Sequence, residues 1–137
     1  MSMFKIFDTA SSAMSAQSLR LNLISSNMAN VDSISSSLDE TYRARQPVFS
    51  AMLNELNPDD PAVGVRTLGV VESQTPLVME YAPEHSMANE DGYIYRPNVN
   101  LVEEMANMIS ASRSYQSNVE VVNTAKQLMT ATLKLGQ

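Results

Sequence analysis

The sequence predicts a mainly α chain with a small β-rich insertion, in which long N- and C-terminal helices form a coiled-coil domain around a short-stranded middle domain. Three observations carry this. Apolar residues alternate at intervals of four and three near both ends of the chain. Five of the six prolines lie between those two segments. The same interval holds short runs of β-branched and aromatic residues. The expected boundaries are 1–31 for the N-terminal helix, 32–96 for the middle domain with its linkers, and 97–137 for the C-terminal helix.

In the N-terminal segment, Met3, Phe7, Ala10, Met14, Gln17, Leu21, Ile24, Met28 and Val31 line one helical stripe. Ala10, Ser11 and Ala13 are small enough for a partner to approach closely. The helix then meets the run ISSNMANVDSIS, from Ile24 to Ser35. Asn, Asp and Ser side chains compete for backbone hydrogen bonds, so the helix is expected to end near Asn30.

The middle carries strand signals at 42–49, 63–71 and 77–81. In GVRTLGVVE, Val65, Thr67 and Val71 fall on one side while Leu68 and Val70 strengthen the other. Both faces of that strand are therefore expected to be partly covered. Asp59–Asp60–Pro61 and Glu90–Asp91–Gly92 read as turns. At about 65 residues such a unit is marginal on its own.

The C-terminal segment has the longest pattern. Leu101, Met105, Met108, Ser112, Tyr115, Val119, Val122, Lys126, Met129 and Leu133 form a heptad seam. Asn100 followed by Glu103 reads as a capping box, with Pro97 just outside it. Gly136 stands where a left-handed cap would close the helix. Such a helix is roughly 50 Å long at about 1.5 Å per residue, too long to cross a small globule. Each terminal stripe lacks a core of its own, so the two are expected to meet, and both helices are expected to be largely disordered in the isolated chain, where no neighbour supplies packing. Lys126 on the seam either snorkels outwards or pairs with an acidic group of a neighbouring chain. Met105, Met108 and Met129 read as adaptable packing residues, and Tyr115 as a buried ring with its hydroxyl at an edge.

Composition excludes several function classes. A net charge of -6 and a pI near 4.6 offer no footprint for nucleic acid. The absence of cysteine removes disulfides, thiolate nucleophiles and cysteine-ligated metal sites together. No stretch is long and apolar enough for a membrane span, and MSMFKIFDTASSAM lacks the apolar core of a cleaved secretory signal. His85 is the single histidine, sits in the turn-rich PEHSMANEDG, and reads as an exposed loop residue without catalytic partners. Glu103 and Glu104 point in different directions on a helix and read as acids favouring its N-terminal dipole. The glycines are scattered, so no phosphate loop is present. Neither an enzyme nor a cofactor is expected.

The run SSNMANVDS after LRLNLI resembles the N-terminal signature of the flagellar rod and hook axial protein family, an asparagine–x–alanine–asparagine motif here formed by Asn27, Ala29 and Asn30. YRARQPVF at 42–49, GYIYRPNVNLVEEMANMISASRSYQSNVEVVN at 92–123 and the ending TLKLGQ are similar to the proximal-rod type of that family. The turn HSMANEDGY departs from the type at Ser86 and Asn89, where proline and aspartate are common. The resemblance implies a structural subunit of the proximal rod, exported by the flagellar type III apparatus without a cleaved signal and assembled helically to transmit torque. It implies terminal helices packed in an inner tube, an outer middle domain, and a periplasmic rod as the location. Other rod proteins, further copies of the chain and an MS-ring-proximal adaptor are the implied partners. The assembly seam would comprise Met3, Phe7, Met14, Leu21, Ile24, Met28, Leu101, Met105, Met108, Tyr115, Val119, Val122, Met129 and Leu133. Asn27 and Asn30 then have two readings, plain helix termination or fixation of the helix end where subunits meet. A free-standing helical adaptor or export chaperone is the alternative to a rod subunit.

Overall fold

The structure, a computed structural model, describes residues 3–52 and 63–136. Its elements in chain order are α1 (Met3–Ala29), β1 (Arg45–Met52), β2 (Gly64–Glu72), β3 (Val78–Tyr81), β4 (Tyr93–Arg96) and α2 (Leu101–Leu135). The expected turn at Asp59–Asp60–Pro61 lies outside the described residues.

The two helices pack antiparallel. Asn27 bonds Glu104 near one end, Arg20 bonds Asn107 a turn further on, and Ile6 shares a groove with Val121, Ala125 and Leu128 near the other. Small residues let the backbones approach, and the most buried apolar positions on the helices are Ala10, Ala16, Ile24, Ala111 and Ala125. This line is displaced from the expected one. Ile24 is buried, whereas Leu101, Met105, Tyr115 and Leu133 stay exposed. Phe7, Met14, Leu21, Met28, Met108, Val119, Val122 and Met129 are half-buried. The side chain of Met3 lies outside the described residues. Alanines allow a closer approach than the larger residues beside them, so the contact line rotates toward Ala111 and Ala125 and leaves much of the apolar stripe open. The ring of Tyr115, expected to be buried, is correspondingly 38% exposed.

In the middle, β1 and β2 form an antiparallel ribbon with an irregularity between Val48 and Phe49. Pro47 is tolerated in β1 because a two-stranded ribbon has open edges. Both faces of β2 are largely exposed, contrary to the expectation, because no second layer covers Leu68, Val70 and Val71. The ribbon is attached to α1 where Val65 N donates to Ser12 Oγ at 3.1 Å.

A second antiparallel pair joins β3 to β4, and the linker adds one bridge through reciprocal backbone bonds of Ser35 and Tyr95. Ile94, 1% exposed, is the largest apolar side chain buried here. Gly92 makes the turn into β4 at φ +82°, and a Cβ on it would lie 2.9 Å from the Tyr81 ring. Only glycine meets both conditions. Asn98 then ties three segments, accepting from Ala44 N and donating to the Ser73 and Thr75 carbonyls. α2 begins as expected, the Asn100 side chain accepting from Val102 N and Glu103 N. Its end differs: Gly136 has φ -91°, so the helix stops without a left-handed cap. The exposed last turn leaves its carbonyls to water, which removes the need for one.

Candidate functional site

Two features stand out, a buried polar junction at the end of α1 and the apolar faces left open along the helices. The junction centres on Asn27, which is 1% exposed. Its Oδ1 accepts from the Tyr42 hydroxyl at 2.8 Å and from Arg45 N at 2.9 Å. Its Nδ2 donates to the Arg45 carbonyl at 3.0 Å and to Glu104 Oε1 at 3.2 Å. All four hydrogen-bonding positions of the amide are thereby used. Ser26 extends the network to Tyr42 at 3.2 Å. One side chain therefore joins the end of α1, the start of β1 and the first turn of α2.

Asn30 has a different task. Its Nδ2 donates to the Ser26 carbonyl at 2.8 Å, and its own carbonyl accepts from Ser33 N and Ser33 Oγ. The Ser26 carbonyl also accepts from Asn30 N, so Asn30 closes the last turn with both its backbone and its side chain and acts as a local terminator. Ala29 between them is exposed.

Glu104 is the residue that sequence reasoning missed. It is 7% exposed rather than a solvated acid of the first turn. Burial pushes its carboxyl above the usual range; the Asn27 bond opposes this, Glu103 adds to it, and Arg20 opposes it. A signal was available, since Glu104 stands seven residues before Ala111 and so shares its line on the helix. Beside it lies a cavity of about 360 Å³ bordered by Arg20, Gln46, Phe49 and Glu103. His85 lies in its turn, half-buried rather than exposed, with Nδ1 accepting from Met87 N at 3.1 Å. Among the described residues no three His, Asp or Glu side chains gather as a metal site would require. Among the described residues no helix is long and apolar enough to cross a membrane.

The two helical parts of the junction come from segments far apart in the chain, and both segments match known families. The flagella basal body rod protein family matches residues 7–33, and the C-terminal family of flagellar basal body rod FlgEFG proteins matches residues 90–135. Over the full chain, the sequence is 47% identical to the flagellar basal-body rod protein FlgC of Salmonella typhimurium, covering 100% of each. The same identity and coverage hold for FlgC of Escherichia coli O6:H1. FlgC of Borreliella burgdorferi is 34% identical over 100% of this chain and 99% of that protein. The chain belongs to the FlgC family of flagellar basal-body rod proteins.

As a FlgC-family member it is a structural subunit of the flagellar basal-body rod and not an enzyme. The two matched segments contain most of α1, with Asn27, and all of α2, with Glu104, so the Asn27–Glu104 bond joins one matched region to the other. The strands of the β1–β2 ribbon lie wholly between the two matched segments.

Proposed function

We propose that the chain builds the proximal rod by laying the apolar faces its helices leave open against neighbouring subunits, including copies of itself. The observation carrying this reading is the set of large apolar side chains left in solvent along α2. Val102 is 75% exposed, Ile109 56%, Leu128 57% and Leu133 68%. Val121, Leu128 and Leu135 recur at seven-residue intervals, one line of a coiled-coil surface. On α1, Phe4 is 72% exposed.

The total surface supports the same reading. A compact monomer of 15.0 kDa would expose about 7,000 Å². This chain exposes 9507 Å². The excess, about 2,500 Å², is of the size buried in permanent assemblies. Faces pointing in different directions make heterologous contacts, which propagate as a helix rather than closing. On this reading the helices line the inner tube as coiled coils and the ribbon lies outside. The neighbours are other rod proteins and an MS-ring-proximal adaptor in the periplasm. The export apparatus delivers the chain without removing a signal, and the finished helix carries torque.

Introducing Ile109→Asp or Leu128→Asp tests it, because each puts a charge on an exposed helix face that the isolated chain does not bury. The expected result is a chain that folds and is exported while no rod forms. Normal numbers of complete rods with either variant would overturn the reading.

A further inference from the structure

We infer that α2 serves two different neighbours in the assembled rod, one on each side of the helix pair, and that the change from one to the other falls near residue 120. The inference rests on the reading that the open faces are assembly surfaces, and adds that each half of α2 meets a separate helix. Among the named elements α2 packs against α1 alone. The side turned to α1 is marked by Glu104, Ala111 and Ala125, and half-buried Asn118 completes their seven-residue spacing. Each residue advances about 100° around a helix, so the other positions can be placed from that line. Leu101, Val102, Met105, Ile109 and Tyr115 are exposed and stand about 40–160° to one side of it. Val121, Leu128 and Leu135 are also exposed, but they follow Asn118, Ala125 and Thr132 by three residues and stand about 60° to the other side. Polar residues hold the complementary places. Glu103, Asn107, Ser110, Ser114 and Ser117 occupy the second side in the first half, and Asn123, Lys126 and Thr130 the first side in the second half. Of the exposed apolar residues in the second half, only Leu133 returns to the first side, in the last turn. A helix with one outer partner keeps its apolar positions on one side throughout. The change between Tyr115 and Val121 is also too abrupt for the drift of about 20° per heptad that a straight helix shows.

The occupant of each face is a helix of a neighbouring rod subunit that brings a row of large apolar side chains. Val121, Leu128 and Leu135 recur at seven residues, the repeat that a second helix matches. On that side Ile6 of α1 joins Val121, Ala125 and Leu128 around a groove of about 510 Å³, a shape that receives such a row. The area agrees with two occupants. One standard interface takes about 800 Å² from each partner, so the excess of about 2,500 Å² is more than a single neighbour covers. Ile109 and Leu128 lie about 30 Å apart along the helix, so the two neighbours are offset by roughly that length. Offset neighbours on opposite sides overlap along the axis, and such contacts propagate instead of closing.

Photocross-linking within purified basal bodies tests the division on the full chain. A photoreactive phenylalanine is introduced at Ile109, at Leu128 or at both, and the products are read by gel and by peptide mass spectrometry. Each single probe should join the chain to a helix of one neighbour, and the chain carrying both should add a three-chain product. Probes at Ser110 and Asn123, on the polar sides of the same two halves, should give neither. Independently of any probe, Ser110→Asp and Asn123→Asp should leave complete rods at normal numbers, where Ile109→Asp and Leu128→Asp remove them. Only two-chain products from the double probe, attachment to a strand instead of a helix, or equal yields at the polar positions would overturn the division. Loss of rods with Ser110→Asp or Asn123→Asp would do the same. Complete rods that give no product at either Ile109 or Leu128 would instead overturn the assembly reading on which the division rests.

Discussion

Deleting Thr132 to Gln137 removes the last turn of α2 and the two residues after it. The antiparallel pairing puts the start of α1 opposite about Leu128, judging from the Asn27–Glu104 and Arg20–Asn107 bonds and the groove that Ile6 shares. The deleted turn therefore projects past α1 and contributes little to the isolated chain. Leu133 is 68% exposed and Leu135 is 88% exposed. Fully burying a leucine side chain contributes about 1.5–3 kcal/mol. Scaled by the open fractions, the two leucines together offer about 2–5 kcal/mol to a neighbouring subunit. Losing that much weakens each subunit contact by roughly thirty- to several-thousand-fold. The truncated chain should keep its own unfolding midpoint, be exported, and fail to build a rod. Counting basal bodies with complete rods, in cells carrying only the truncated form, measures this. Complete rods at normal numbers would refute the reasoning. So would a truncated chain that is unfolded before export, since the loss would then lie in stability and not in contact.

Three further substitutions probe the middle of the chain. Ile94→Ala empties the most buried apolar site of the β3–β4 pair and should lower stability by about 2–4 kcal/mol, read as a lower urea midpoint at unchanged helicity. Gly92→Ala must adopt a positive φ and push Tyr81 aside, so it should cost about 1–3 kcal/mol and disturb the Tyr81–Tyr93 ring contact in tyrosine fluorescence. His85→Ala loses one acceptor in a turn and should leave swimming of a complemented strain nearly unchanged; loss of motility with normal export would assign His85 a role that its surroundings do not suggest.

The long elements were legible because periodicity accumulates with length. α2 spans 35 residues and opens at Asn100, where the cap was expected, and α1 ends one residue before Asn30. Short elements offer no such sum. β4 is the four residues Tyr93–Arg96, too few for an alternation to register, and it was not expected as a strand. β1 starts at Arg45 rather than Tyr42 because the Tyr42 side chain is drawn to Asn27 and Ser26. The burial of Glu104 was hidden for a different reason. A charged residue in a first helical turn has a sufficient local explanation in the helix dipole, and only the return of a distant asparagine makes it a junction residue. Likewise, β2 has an apolar residue on each face, but a pattern of apolar residues cannot tell whether the cover comes from the same chain.

That last point bears on how the chain divides its interactions. In an ordinary domain, apolar burial supplies stability, and polar groups at the surface have little to specify. Here Asn27, Asn98, Asn100 and Glu104 hold the internal joints, while the larger apolar side chains of α2 remain outside. The arrangement follows from what each force can specify. Hydrogen bonds between planar groups prefer particular directions, so they suit a joint whose angle must repeat in every subunit. Apolar contact is nearly indifferent to direction and scales with area, so it suits faces that meet more than one kind of neighbour. A rod subunit needs both properties at once, a fixed internal angle and adaptable outer surfaces. Exchanging the two, with apolar joints and polar faces, would leave the angle loose and give the contacts little to bury.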